Sequence, residues 1–110
     1  MILISHRGNV SGRNINKENR PDYIKDALRA GYHVEIDVWL VDNKFFLGHD
    51  RPEYEIGVSF LEIPEVWCHA KNLDALITML DLGIHCFWHE KDTVTLTSKG
   101  YIWAYPGMQK

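Results

Sequence analysis

The sequence predicts an α/β fold on a mostly parallel sheet, and three observations carry that reading. Strand-like and helix-like segments alternate in the order β-α-β-β-α, glycines stand at the ends of both helical stretches, and Asp42-Asn43 splits one alternating run into a hairpin. Strands that alternate with helices of this length favour right-handed βαβ units, and hence parallel neighbours.

Taken in order, Ile2 to Ser5 is apolar enough for a first strand, and Gly8 to Arg20 is rich in Gly, Asn, Ser and Arg and reads as a loop. A helix begins near Pro21, which suits the first turn. Tyr23, Ile24, Ala27 and Leu28 make its apolar stripe, and Gly31 ends it. His33 to Val41 alternates and is rich in β-branched and aromatic residues; Asp42-Asn43 turns the chain, and Lys44 to Gly48 returns. The stretch from Arg51-Pro52 to Pro64 reads as irregular. Val66 to Ala70 is a third core strand, followed by a helix from Leu73 to Leu82 with Asn72 as N-cap and Gly83 as its stop. Ile84 to Glu90 makes a fourth strand, and Ser98-Lys99-Gly100 separates two short strand-like pieces, Thr93 to Thr97 and Tyr101 to Tyr105. With no repeat, linker or low-complexity segment, residues 1–110 read as one domain.

The composition, 45% hydrophobic and 25% charged, is that of an ordinary globular protein. A net charge of -3 offers no basic footprint and argues against nucleic acid as a partner. Met1 leads directly into an apolar strand with no charged leader, and no apolar run is long enough to span a bilayer, so a cytoplasmic location is expected. Cys68 and Cys86 lie in apolar strand-like runs without Cys-x-x-Cys spacing, which points to reduced buried thiols.

The chemistry concentrates where strands end. His6 and Arg7 close the first strand, Glu35 and Asp37 lie on the second, His49 ends its hairpin partner, His69 and Lys71 close the third, and Glu90 ends the fourth. Alternation sends Glu35 and Asp37 to one face while Val34, Ile36 and Val38 fill the other. Two unpaired carboxylates in a covered sheet are costly, and a divalent cation relieves that cost. Cleaving a phosphodiester calls for positive charge on the nonbridging oxygens, a base for the attacking hydroxyl or water and an acid for the leaving alkoxide. Histidines near their ordinary pKa suit the last two tasks.

Several short motifs occur in a telling order: His6-Arg7-Gly8, Glu18-Asn19, a helix ending in Gly31, Val34-Glu35-Ile36-Asp37-Val38, a hairpin, then Gly48-His49-Asp50 followed by Pro52. The pattern resembles the glycerophosphodiester phosphodiesterase family of the phospholipase C-like phosphodiesterase superfamily, closely over the first half of the chain and loosely over the second. The resemblance implies that His6 and His49 are the general acid and base, that Arg7 contacts phosphate, and that Glu35 and Asp37 hold calcium or magnesium. It also implies a third carboxylate on a Glu-hydrophobic-Lys strand. Here that strand reads Cys68-His69-Ala70-Lys71, so His69 takes the ligand position and Lys71 is retained for phosphate. Magnesium or calcium remains the first expectation, an imidazole ligand brings in manganese or zinc, and Glu90 is the alternative carboxylate.

A complete eight-stranded barrel of this superfamily's kind takes about 250 residues. The expected fold is therefore a reduced or partial TIM-type β/α barrel with a β-hairpin after the second strand, five or six strands and two principal helices. Its uncovered edges point to a two-fold homodimer. The expected function is metal-dependent hydrolysis of a small phosphodiester. The alternative is a module derived from that fold that binds metal and phosphate without turnover, and a structural subunit with a fossil site is the third reading. Glu18 and Asn19 are equally readable as caps of the following helix.

Overall fold

The computed structural model describes residues 3–88, 94–99 and 102–104. Over these the elements run β1 (Ile4–His6), α1 (Pro21–Arg29), β2 (His33–Val41), β3 (Lys44–Leu47), β4 (Tyr54–Ile56), α2 (Val58–Leu61), β5 (Val66–Ala70), α3 (Leu73–Asp81), β6 (Cys86–Phe87), β7 (Val94–Leu96) and β8 (Ile102–Ala104).

The partial β/α barrel is not what forms. The chain builds an open, mixed six-stranded sheet in the order β4-β3-β2-β5-β6, with β1 also paired to β2, and three helices. The pairings β1·β2, β2·β5 and β5·β6 are parallel, whereas β2·β3 and β3·β4 are antiparallel. The hairpin decides this outcome. A β/α barrel closes through successive parallel strands joined by helical crossovers. Asp42 and Asn43, at φ 52° and 62°, turn β3 straight back along β2, and β4 adds to β3 in the same manner. One flank of the sheet thus grows outward by hairpin connections. Both turn residues tolerate the left-handed conformation that such two-residue connections require.

The stretch expected to be irregular holds β4 and the short α2, flanked by Pro52 and Gly57. Three alternating residues are too few to register as a strand until β3 pairs with them. The expected strand from Ile84 to Glu90 is realised as β6, and Glu90 lies outside the described residues. Of the two tail pieces, β7 and β8 pair antiparallel as a separate two-stranded sheet. Ser98 just after β7 closes the edge of β6: its N–H donates to the Cys86 carbonyl at 2.8 Å, and its Oγ accepts the Cys86 N–H at 2.9 Å.

Helices α1 and α3 cover one face of the sheet. Ile24 and Ala27 of α1 and Ala75 and Met79 of α3 pack with Val34, Ile36, Val38, Val66, Cys68 and Ala70 in a continuous apolar core. Pro21 opens α1, Gly31 at φ 91° ends it, and Asn72 caps α3 by accepting the Ala75 N–H at 3.0 Å. On the opposite face Trp67 and Phe87 form a smaller apolar cluster. By alternation Glu35 and Asp37 point to that second face, where both are buried. Among the described residues no helix is long and apolar enough to cross a membrane.

Candidate metal centre

The nine-residue β2 serves two partners along one edge. Its start pairs with β1, with His6 opposite Glu35, and its end pairs with β3, with Val38 opposite Leu47, while β5 occupies the other edge. Both partners leave that shared edge at the carboxylates: the Arg7 N–H donates to the Glu35 carbonyl at 2.8 Å and the Gly48 N–H to the Asp37 carbonyl at 3.1 Å. The His6-Arg7-Gly8 and Gly48-His49-Asp50 turns therefore meet across Glu35-Ile36-Asp37. Their glycines are needed by contact. A Cβ on Gly8, at φ 90°, would lie 2.8 Å from the Tyr23 ring, and one on Gly48 would overlap the Arg51 carbonyl oxygen.

Each turn brings a histidine against a buried carboxylate. His6 Nε2 lies 3.3 Å from Glu35 Oε1, and His49 Nδ1 lies 3.4 Å from Asp37 Oδ2. The side chains are 27% and 40% exposed, so both histidines reach solvent while touching groups that do not. From β5, in register with Asp37, His69 places Nδ1 3.2 Å from Asp37 Oδ1 and 3.7 Å from Glu35 Oε2. Its ring stacks on Phe87 at 5.1 Å, nearly parallel.

The charges are strongly coupled. Burial alone raises the pKa of Asp37, but His49, His69, Arg7 and Asn19 together outweigh it and hold this carboxyl well below the usual carboxylate range. Burial lowers the pKa of His69, and the neighbouring Asp37 and Glu35 reverse that and push it up to about 9. The residues fit a divalent cation. One ligand atom each from Glu35, Asp37 and His69 lies within 4.8 Å of the others, comparable to the span of about 4 to 5 Å across a cation bound at 2.0–2.6 Å. Glu35 Oε1 is buried and, although His6 Nε2 lies 3.3 Å away, accepts no hydrogen bond among the described residues, so it keeps capacity that a cation would use.

Arg7 is tied inward. Its Nη1 donates to Glu18 Oε1 at 3.2 Å and its Nε sits 3.0 Å from Asp37 Oδ2, leaving the side chain 12% exposed. Glu18 and Asn19 belong to the site and do not cap α1, whose N-cap is Arg20 without a side-chain hydrogen bond. Asn19, 1% exposed, clamps Asp37 twice: Nδ2 donates to Oδ2 and Oδ1 accepts the Asp37 N–H, both at 2.9 Å. Glu18 gathers Arg7, Asn9 and Arg13; burial opposes its ionisation, but hydrogen bonding and these cations leave its pKa lowered.

An open cleft of about 540 Å3 is lined by His6, Arg7, Asn9, Gly12, Arg13, Glu18 and His49; the buried Glu35, Asp37 and His69 are not part of its lining. The structure thus brings together His6, Arg7, Glu35, Asp37, His49 and His69 among the residues singled out in the sequence. Lys71 is half-buried just beyond β5, its N–H on the Val38 carbonyl, and does not line this cleft. Sequence reasoning missed Arg13 entirely and left Asn19 undecided. The signal for Asn19 was its place beside Glu18 in the motif order; nothing local marked Arg13. Cys68 and Cys86 are free, buried and paired in register on the core face, away from the carboxylates. No family model, curated protein or solved structure matches this chain.

Proposed function

We propose that the protein is a metal-dependent phosphodiesterase acting on a small, glycerophosphodiester-like phosphodiester, with Glu35, Asp37 and His69 holding a divalent cation. The observation that carries the reading is the pairing of two solvent-reaching histidines, His6 and His49, with two buried carboxylates at 3.3 and 3.4 Å. A carboxylate beside one ring nitrogen orients the imidazole and leaves the other ring nitrogen for proton transfer. One histidine takes the proton of the attacking hydroxyl or water, and the other returns a proton to the leaving alkoxide oxygen as the phosphorus–oxygen bond breaks. A bound cation supplies Lewis-acid charge for the nonbridging oxygens. The donor set of two carboxylates and an imidazole suits manganese or zinc better than calcium, with magnesium between.

The site arrangement also supports a second reading. With Arg7 and His69 both set against Asp37, the carboxylates are balanced by the protein's own cations, as in a module that binds a phosphorylated ligand without turnover. The two readings separate in one experiment. Release of nitrophenol from bis(p-nitrophenyl) phosphate is followed with magnesium, calcium, manganese and zinc in turn, beside Asp37→Ala and His6→Ala. Metal-dependent turnover lost in both variants establishes the enzyme. Tight metal binding in calorimetry with no turnover of this diester or of glycerophosphodiesters establishes the binding module. The reading carries a cytoplasmic setting and, from the open edge of β4, a two-fold dimer; a concentration-independent monomer in sedimentation removes the dimer.

A further inference from the structure

We infer that Arg13, not Arg7, is the guanidinium that receives the substrate's phosphate. This rests on the phosphodiester reading and assigns a residue that the motif order does not point to. The first observation is that Arg7 is turned inward: Nη1 donates to Glu18 Oε1 at 3.2 Å, Nε lies 3.0 Å from Asp37 Oδ2 without a hydrogen bond, and 12% of the side chain is exposed. A guanidinium fixed between two buried carboxylates holds the site together. Moving it onto a ligand would take a guanidinium away from both Glu18 and Asp37, which are buried, and leave them only their remaining partners.

Arg13 is placed and free in the complementary way. It lies on the loop between His6-Arg7-Gly8 and α1, and its side chain is 65% exposed. Only its Nε is engaged, at 3.2 Å from Glu18 Oε2, and among the described residues its two terminal nitrogens enter no hydrogen bond or ion pair. The loop is built. Asn9 Oδ1 accepts the Asn14 N–H at 3.0 Å and the Tyr23 hydroxyl at 3.1 Å, while Asn9 Nδ2 donates to Glu18 Oε2 at 2.8 Å. These bonds set the segment that presents Arg13. The residue then lines two openings that His49 also borders: the cleft at His6 and a neighbouring one of about 290 Å3 that continues past Asn16, Asp50 and Tyr54. A phosphate between His6 and His49 would meet the planar fork of Arg13, whose paired donors match two phosphate oxygens. Tethering through Nε to Glu18 pre-orients that fork without occupying it, which lowers the entropy lost when the ligand binds.

The test compares wild type with Arg13→Ala, Arg13→Lys and Arg13→Gln, using bis(p-nitrophenyl) phosphate for turnover and inorganic phosphate as a calorimetric ligand, both with the best metal. The expected result is a fall in kcat/KM of about 100-fold for Arg13→Ala, on the scale of one lost charged phosphate contact, with weaker phosphate binding in parallel. Arg13→Lys restores part of both, and the thermal midpoint stays near wild type in all three variants. Wild-type turnover with Arg13→Ala within about threefold overturns the assignment and leaves the phosphodiesterase reading standing. If wild type turns over neither this diester nor glycerophosphodiesters, that reading fails, and phosphate binding decides for Arg13 alone. Binding lost in Arg13→Ala sustains the assignment; binding absent from wild type, or equal in both proteins, overturns it.

Discussion

Replacing Asn19 by alanine tests whether the candidate centre is held as described. Asn19 is buried at 1% exposure and makes two hydrogen bonds of 2.9 Å to Asp37, one to the carboxylate and one from the backbone N–H. Its backbone sits at φ 65°, a left-handed conformation that asparagine tolerates and alanine does not. Alanine removes a hydrogen bond to a charged group, contributing about 1.5 kcal/mol at the low end, and leaves the Asp37 N–H unpaired and buried for about 1.5 kcal/mol more. The left-handed backbone adds about 1 kcal/mol. The sum is about 4 kcal/mol, a large part of the roughly 5 to 15 kcal/mol expected for the whole domain. Glycine removes the backbone part, so Asn19→Gly should lose about 3 kcal/mol. Asn19→Asp should be the worst of the three, because it sets a second carboxylate against Oδ2 of Asp37 in a buried site. Urea unfolding followed by tryptophan fluorescence in chelator gives the order directly. A loss below about 1 kcal/mol for Asn19→Ala, or a glycine variant less stable than the alanine one, would refute the clamp.

Stability of the metal-free protein should peak between about pH 5 and 6.5 and fall on both sides. Asp37 and Glu18 have folded pKa values below their ordinary values of 3.8 and 4.5, so their contributions are present above those values and are lost as the pH drops. His69 runs oppositely: raised from 6.5 to about 9, it stabilises fully below 6.5 and loses that contribution as the pH rises through 9. Thermal midpoints across pH in chelator check both limbs, and His69→Asn should flatten the alkaline one; an unchanged alkaline limb would show that His69 does not cause it. Gly48→Ala, which drives a Cβ into the Arg51 carbonyl, should displace the turn carrying His49 and destabilise the fold by about 2 kcal/mol or more. Denaturant midpoints measure the loss, and a neutral substitution would mean that the turn relaxes freely.

Much of the site was legible because it is written in short local runs. The periodicity of β2 puts Glu35 and Asp37 on one face whatever the strand's neighbours are. The Asp42-Asn43 turn, the Pro21 start and the Asn72 cap were likewise readable, since each depends on the conformational preference of one or two residues. The role of Asn19 was not readable, because capping a helix and clamping a carboxylate 18 positions away use the same side-chain chemistry, and only the path of the loop chooses between them. Arg13 was invisible for the same reason: an arginine in a polar loop looks like any solvated cation until Asn9 and Glu18 fix where the loop lies.

By itself the sequence determined the alternation of elements and the kinds of group that gather at strand ends, because propensity and period act over a few residues. Tertiary structure decided the sheet's closure and the site's assembly. Whether the sheet beyond the hairpin closes toward a barrel or stays open depends on pairing energies between distant segments, as does β4, which pairs along the edge that β3 offers. The centre itself depends on two strands ending on one edge of a third. That convergence brings His6, Glu35, Asp37, His49 and His69 within a few ångströms, a nearness that no spacing along the chain contains.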